Sequence, residues 1–418
     1  MSQEQEYVEK LAALAVQKGV NLQKGQIIFI RSSIDPEMAR LARACAQAAW
    51  KAGAKEVFMD WSDPQTDKLL YQHADMDTLA HAPEWRGMML EEGAKRDACF
   101  LIIDGDDPDL YQDIDPKDIL IRRQALEKIT KTYRQAFDAG KIAWTIVAAP
   151  SEGWAKKVYP DLSTQEAIKR LWKDIFAISR IDENDPLENW AKHGASFTKR
   201  VELMNSLNLK KLHYTSSNGT NLWVDLPENV QFVGGSSRLQ NGREIFCNIP
   251  TEEIFSAPRL DGVNGTLEAV MPLSFNGKII DGFGFVFKDG KVVDYHATQG
   301  REVLEAIFTS GKGANRLGEV ALVDKSSPIR QQNKIFFNTL FDENAACHFA
   351  FGQSYAETMK DGVFMSCDEL EAKGMNQSQI HVDFMVGADD LNIEGYTQDG
   401  KKVTIFENGA FAPAFQAN

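Results

Sequence analysis

No two cysteines in this chain are spaced for disulfide or metal chemistry. The five, Cys45, Cys99, Cys247, Cys347 and Cys367, are odd in number, widely scattered and without a CxxC pair. A disulfide scaffold and a thiolate zinc site are therefore excluded. Positive charge is scarce as well: 60 acidic residues against 46 basic ones leave a formal net charge of -14. Neither a nucleic-acid backbone nor an anionic membrane is expected as a partner. No apolar run reaches membrane-spanning length, and the first twenty residues, with Glu4, Glu6 and Glu9 among apolar positions, read as an acidic amphipathic helix rather than a basic signal peptide. A cytoplasmic location is the expectation. Phosphate-cradling glycines are missing too. The turn Arg31-Ser32-Ser33-Ile34-Asp35-Pro36 carries neither GxGxxG nor a P-loop, and Gly234-Gly235-Ser236-Ser237 and Gly311-Lys312-Gly313 are short loops outside any strand-turn-helix setting.

What is present is a globular composition, 43% hydrophobic and 25% charged, over 418 residues. That is too long for one ordinary core, so two domains are expected. The first half alternates strand-like runs at 26–34, 56–61, 98–103 and 142–148 with helical patterns at 37–52 and 164–179. This is the grammar of an α/β domain with a parallel-type sheet. The second half is strand-rich from residue 211, with Asp-Gly hairpin turns in FKDGKV (287–292) and YTQDGK (396–401), and with helices expected at about 302–309 and around Cys347. It reads as an α+β catalytic domain. The polar stretch 181–186, ending in Pro186, marks the boundary, giving domains of 1–185 and 186–418.

The residues that carry chemistry lie in the second half. His381 and Asp383 flank Val382 in an apolar run, and a strand projects positions i and i+2 from one face, so both could reach one cation. An unpaired buried aspartate beside a histidine is costly; the pair needs a cation, a hydrogen-bond partner or water. Glu252 and Glu253 follow the apolar segment 244–249 where a strand would end. Glu319 opens an apolar strand after Gly318, which permits close backbone approach. The segment 338–355 is dense in polar groups, and helical spacing would put His348 and Tyr355 on one face, with Cys347 left to packing. Glutamate, histidine, aspartate and tyrosine without thiolate suit a hydrolytic site for zinc, cobalt or manganese. The other histidines, His73, His81, His193, His213 and His296, lack comparable partners in sequence.

Four motifs in this order, PTEEIFSAP (250–258), LGEVALV (317–323), NTLFDENAACHFAFGQSY (338–355) and HVDFMVG (381–387), resemble the thermophilic-type metallo-aminopeptidases, peptidase family M29, the aminopeptidase T, S and II type. The resemblance spans essentially the whole chain. It implies an aminopeptidase that releases N-terminal residues from short peptides with a free N-terminus, with broad specificity, two divalent metal ions per subunit and a homodimeric state. Carried over position by position, it implies Glu253, Glu319, His348, His381 and Asp383 as metal ligands, with Glu319 as bridge. Glu343 is implied as a ligand or general base, and Tyr355 as the active-site tyrosine. The motif favours Glu253 over Glu252. Phe349 and Phe351 stand where the family carries smaller aliphatic residues, which bears on pocket shape rather than on chemistry.

The mechanism these assignments imply starts from a metal-activated water, deprotonated with help from Glu253 or Glu343, and has Tyr355 donate a hydrogen bond to the developing oxyanion. Candidates for binding the substrate amine are Glu252, Asp389 and Asp390. Two other readings use the same residues: another metal-dependent amidohydrolase or dipeptidase, and a non-enzymatic protein that holds a structural or stored metal.

Overall fold

A computed structural model describes residues 2–182, 185–275 and 277–416. It falls into two compact units, Met1–Ala191 with Ser236–Pro250, and Lys192–Gly235 with Thr251–Asn418. Of the stretch expected to part the two halves, Glu183 and Asn184 lie outside the described residues. Among the described residues no helix is long and apolar enough to cross a membrane.

The first unit is built on a parallel sheet of β1 (Ile27–Ser33), β2 (Glu56–Ser62), β3 (Cys99–Asp104) and β4 (Trp144–Ala148), in the order β2-β1-β3-β4. The short strand Asn248–Ile249 extends it beyond β4, also in parallel. The continuous apolar run at 27–30 fits a strand covered on both faces. Helix α1 (Gln3–Leu14) precedes β1, and α2 (Pro36–Lys51) follows it. The start of α2 is set where the Asp35 side chain accepts from the Glu37 amide and Pro36 takes the first turn. Helix α3 (Thr164–Ile178) opens on a capping box in which Ser163 and Glu166 satisfy each other's amides. The α/β expectation holds here.

The second unit is mostly antiparallel sheet. Its eight-stranded sheet contains both Asp-Gly hairpins, Gly284–Lys288 with Lys291–His296 and Asn392–Thr397 with Lys402–Glu407. In the first, Asp289 and Gly290 take φ of 49° and 76°, the left-handed pair that a two-residue turn between twisted strands requires. The five-stranded sheet runs β8 (His381–Met385), β7 (His348–Gly352), β6 (Leu317–Val323), β5 (Glu253–Ser256), then Val233–Gly234.

One face of this smaller sheet is a hydrophobic wall. Ile254, Val320, Leu322, Phe349, Phe351, Val382 and Phe384 all join the main core of the unit. Phe285 of the larger sheet meets Phe351 at 5.0 Å and Phe384 at 5.1 Å between ring centroids, and Tyr214 meets Phe349 at 5.1 Å. The two sheets therefore pack through a shared aromatic layer. Phe349 and Phe351 consequently shape the core, not a substrate pocket, which corrects the expectation from the motif.

Segment 338–355 also departs from the helical reading. It forms a short helix Thr339–Asp342, one 3-10 turn Glu343–Ala345, and then β7. His348-Phe349-Ala350-Phe351 alternates with period two, and the aromatic positions have a core face to bury, so the strand wins over helical spacing. The helix expected around Cys347 is absent for the same reason.

Pairing between β6 and β7 contains one irregularity. Leu317 faces Phe351, whereas Glu319 faces Ala350, so Gly318 is the extra residue of a bulge. The bulge turns Leu317 toward the core and Glu319 toward the opposite face, although the two are only two residues apart. Only glycine fits: a Cβ at 318 would stand 2.2 Å from the Gly352 carbonyl oxygen and 2.5 Å from that of Gln353. Gly318→Ala is expected to destabilise the protein by about 1–3 kcal/mol, the usual range for overpacking. Denaturant unfolding measures this, and an unchanged midpoint would mean that the strand absorbs the methyl group freely.

Candidate metal centre

Strand alternation brings the polar motif residues to the face opposite the aromatic wall. Glu319 sits across from Ala350, which sits across from Asp383; Ala321 faces His348, which faces Met385. Glu253 faces Val323 on the same side. The small side chains of Ala321 and Ala350 thus lie among four longer polar ones, leaving space above the strands.

Two sets of groups converge there. In each of the sets Glu253, Glu319, His348 and Glu319, His381, Asp383, one potential ligand atom per residue lies within 4.8 Å of the others. His348 Nε2 is 3.0 Å from Glu253 Oε2 and 3.6 Å from Glu319 Oε1. His381 Nε2 is 3.4 Å from Glu319 Oε2 and 3.3 Å from Asp383 Oδ1. Glu319 belongs to both sets and turns one oxygen to each.

The ring orientations are fixed from behind. His348 Nδ1 lies 3.1 Å from the Ala346 carbonyl oxygen, and His381 Nδ1 lies 2.8 Å from that of Gln353. A carbonyl can only accept, so each Nδ1 donates. In the neutral imidazole this leaves the Nε2 lone pair aimed at the carboxylates, the tautomer a metal-ligating histidine takes.

Electrostatics points the same way. Glu253, Glu319, Glu343 and Asp383 lie close enough to perturb one another, and among the described residues no lysine or arginine pairs with any of them. Burial disfavours charge on both imidazoles, yet the surrounding carboxylates outweigh it and hold His348 and His381 well above the usual histidine range. Burial likewise opposes ionisation of Glu319 and Asp383, but the adjacent histidines bring both below their ordinary values. Glu253 is raised, by burial first and by its fellow carboxylates, against the pull of His348. A buried site with this excess of negative charge demands cations. Oxygen and imidazole donors with free lone pairs fit divalent ions.

Glu343 and Tyr355 border the sets. Burial and the neighbouring charges of Asp383 and Glu253 hold the Glu343 carboxyl well above the ordinary range, which makes it a strong proton acceptor. Tyr355 packs its ring 4.8 Å from that of His381 and 5.9 Å from that of Phe255. Desolvation on the side turned to the cluster, and then the charges of Glu319, Asp383, Glu343 and Glu253, push its phenol upward, so it keeps its proton. The residue as a whole is 39% exposed.

The remaining sequence candidates are occupied elsewhere. Glu252 turns away from the sets, its Oε1 3.9 Å from His193 Nε2. Asp389 pairs with Arg330 at 2.6 Å. Asp390 accepts from the Ser216 hydroxyl at 2.6 Å and the Ser217 amide at 2.8 Å, and these bonds lower it to about 2. Sequence reasoning missed Asn344. This fully buried side chain donates to Glu343 Oε1 at 3.3 Å and to the Leu340 carbonyl at 3.0 Å, and accepts from the Glu252 amide at 2.7 Å. A lone asparagine inside a polar motif has no signal that separates it from a surface amide; only its burial does.

Comparisons with known proteins agree with this chemistry. The family model described as Thermophilic metalloprotease (M29) matches residues 4–411. Aminopeptidase 2 of Geobacillus stearothermophilus is 42% identical, the alignment covering 99% of each chain. Aminopeptidase AmpS of Bacillus subtilis (strain 168) is 41% identical over 96% of this chain and 97% of its own. The solved structure of wild-type AmpT from Thermus thermophilus superposes with a TM-score of 0.90 at 32% identity, covering 97% of this chain and 99% of that one.

Cation binding should be visible as stability. After exhaustive chelation, adding Zn²⁺ to about 100 times its dissociation constant is expected to stabilise the protein by about 2.7 kcal/mol per ion bound, read as a rise in Tm. Glu319→Gln should lose most of this gain. A variant that gains as much as the parent would place the cation elsewhere.

Proposed function

This chain belongs to the thermophilic metalloprotease (M29) family and is a metal-dependent aminopeptidase, and on that premise we propose that it works with two divalent ions bridged by Glu319. The observation that carries the reading is the division of the Glu319 carboxylate, with Oε1 3.6 Å from His348 Nε2 and Oε2 3.4 Å from His381 Nε2. Glu253, Glu319 and His348 would hold one ion; Glu319, His381 and Asp383 would hold the other. Charge supports the presence of cations, because Glu253, Glu319, Glu343 and Asp383 crowd together with no lysine or arginine paired to them among the described residues. The donor set suits zinc, cobalt or manganese.

When bound, such ions supply Lewis acidity and make coordinated water easier to deprotonate. The protein's own groups do the rest. Glu343, held by Asn344 and made basic by its surroundings, takes a proton from the attacking water and delivers it to the departing amine. Glu253, closest to His348, serves as ligand rather than base. Tyr355 donates its retained proton in a hydrogen bond to the oxygen that gains charge as the scissile carbon becomes tetrahedral, an interaction stronger in the transition state than before it. The backbone carbonyls behind His348 and His381 keep both rings oriented throughout. The substrates on this reading are short peptides with a free N-terminus. A homodimeric state and a cytoplasmic location rest on the family resemblance and on the composition.

The purified protein is expected to hydrolyse leucine p-nitroanilide, to lose this activity on chelation and to regain it with cobalt, zinc or manganese; the N-acetylated substrate should resist. Cleavage of the blocked substrate at a similar rate would favour a general amidohydrolase. Tyr355→Phe should lower kcat roughly 100-fold, the usual effect of losing one oxyanion donor, with metal content unchanged. Full turnover by that variant would remove Tyr355 from its role.

A further inference from the structure

A cavity of ≈ 920 Å³ in the second unit shares no lining residue with the metal centre. That volume lies within the range of small-molecule sites. Arg200, Lys325 and Arg330 bring positive charge to its lining, and Asp324 and Asp389 bring negative charge. The balance is positive, in a chain whose net charge is -14.

Arg200 is the group that calls for a partner. It stands on the helix Pro186–Ser206, with its guanidinium carbon 4.3 Å from the Phe411 ring centroid and 5.5 Å from that of Phe197. Its Nε donates to the Phe415 carbonyl oxygen at 3.0 Å. These contacts hold the stem and one edge of the planar fork. Among the described residues Arg200 forms no ion pair, and its two Nη atoms make no hydrogen bond. Burial, opposed by the charges of Asp324 and Glu252 beyond ion-pair distance, brings it below the usual arginine range. A partly desolvated guanidinium with free donors is costly until an anion meets it.

The other charged groups of the cavity do not meet that need. Both Asp324 oxygens accept from backbone amides, of Ser326 at 2.9 Å and of Phe411 at 2.8 Å. Lys325 Nζ donates to the Asn408 carbonyl oxygen at 2.7 Å, which leaves its charge uncompensated. Arg330 donates to the Gly387 carbonyl oxygen at 2.6 Å and pairs with Asp389, whose side chain is 88% exposed, so that pair contributes little.

We propose that this cavity is an oxyanion-binding site, in which the Arg200 fork, with Lys325 as a second charge, takes the carboxylate or phosphate group of a small molecule. Two sources share this chemistry, the C-terminal carboxylate of a peptide and a free phosphate. The site stands apart from the metal centre and from the activity assigned to it.

The test is isothermal titration calorimetry on the full-length, metal-loaded protein with inorganic phosphate, with N-acetyl-Gly-Gly, and with the C-terminal amide of that peptide. At least one of the two anions is expected to bind, and the amide to give no heat. Arg200→Gln should weaken binding about 10-fold or more, the effect of losing one hydrogen bond between charged groups. Lys325→Gln should weaken it by a smaller factor and covers the case that the Arg200 variant fails to fold. Turnover of leucine p-nitroanilide, which carries no carboxylate, should be unchanged in both variants. Phosphate bound without the peptide identifies the first group as the natural one, and peptide bound without phosphate identifies the second. No heat from either anion would overturn the proposal. So would an affinity that survives both substitutions, because the anion would then sit on the metals. Binding is read without turnover, so a protein inactive on every anilide would count against the activity reading and leave this site standing.

Discussion

Glu319 stands between two histidines and shares its oxygens between them, inside a group of carboxylates that has no lysine or arginine to balance it among the described residues. Concentrated negative charge of this kind is unfavourable in a protein interior, and it persists only because the rest of the sheet makes retreat impossible. Four neighbouring strands contribute one or two groups each. The aromatic layer on their other face locks those strands to the larger sheet, so no strand can rotate its polar residues toward solvent without pulling phenylalanines out of the core. The apolar side of the sheet therefore sustains the electrostatic tension on the polar side, and cations relieve it.

Positional rigidity follows from the same arrangement. Ligands on paired strands inherit the spacing of the hydrogen-bond ladder, whereas ligands on loops have to be held one by one. Where the site does depend on a loop, a side chain has been recruited to hold it: Asn344 ties Glu343 to the backbone before Glu253. Asn344 is the next residue in the chain after the base it supports.

Much of this was legible in the sequence, for identifiable reasons. The apolar run at 27–30 and the helical spacing at 37–52 and 164–179 are local signals, and they correctly indicated the parallel sheet and its helices. The i, i+2 spacing of His381 and Asp383 needed only the pleat of a strand to bring both to one side. Legibility failed where tertiary contacts decide. Residues 348–352 fit a helical spacing as well as a strand, and the choice was made by an aromatic layer whose other half comes from Phe285 and Tyr214, distant in sequence. Phe349 and Phe351 were read as bearing on pocket shape because the family carries smaller residues there, although on this strand they alternate with His348 and face the core. Asn344 was invisible because burial is not written in residue type.

The bulge at Gly318 carries a further implication for how this sheet tolerates change. A strand reads its sequence in a frame of two, one position inward and the next outward, and the extra residue works as a built-in frameshift that separates the hydrophobic register of Leu317 from the ligand register of Glu319. Substitutions along β6 alter one letter at a time, but loss or gain of a single residue there rewrites the frame and exchanges core with centre. Length, more than identity, is what this stretch must conserve in any relative or redesign that keeps both its core and its metals.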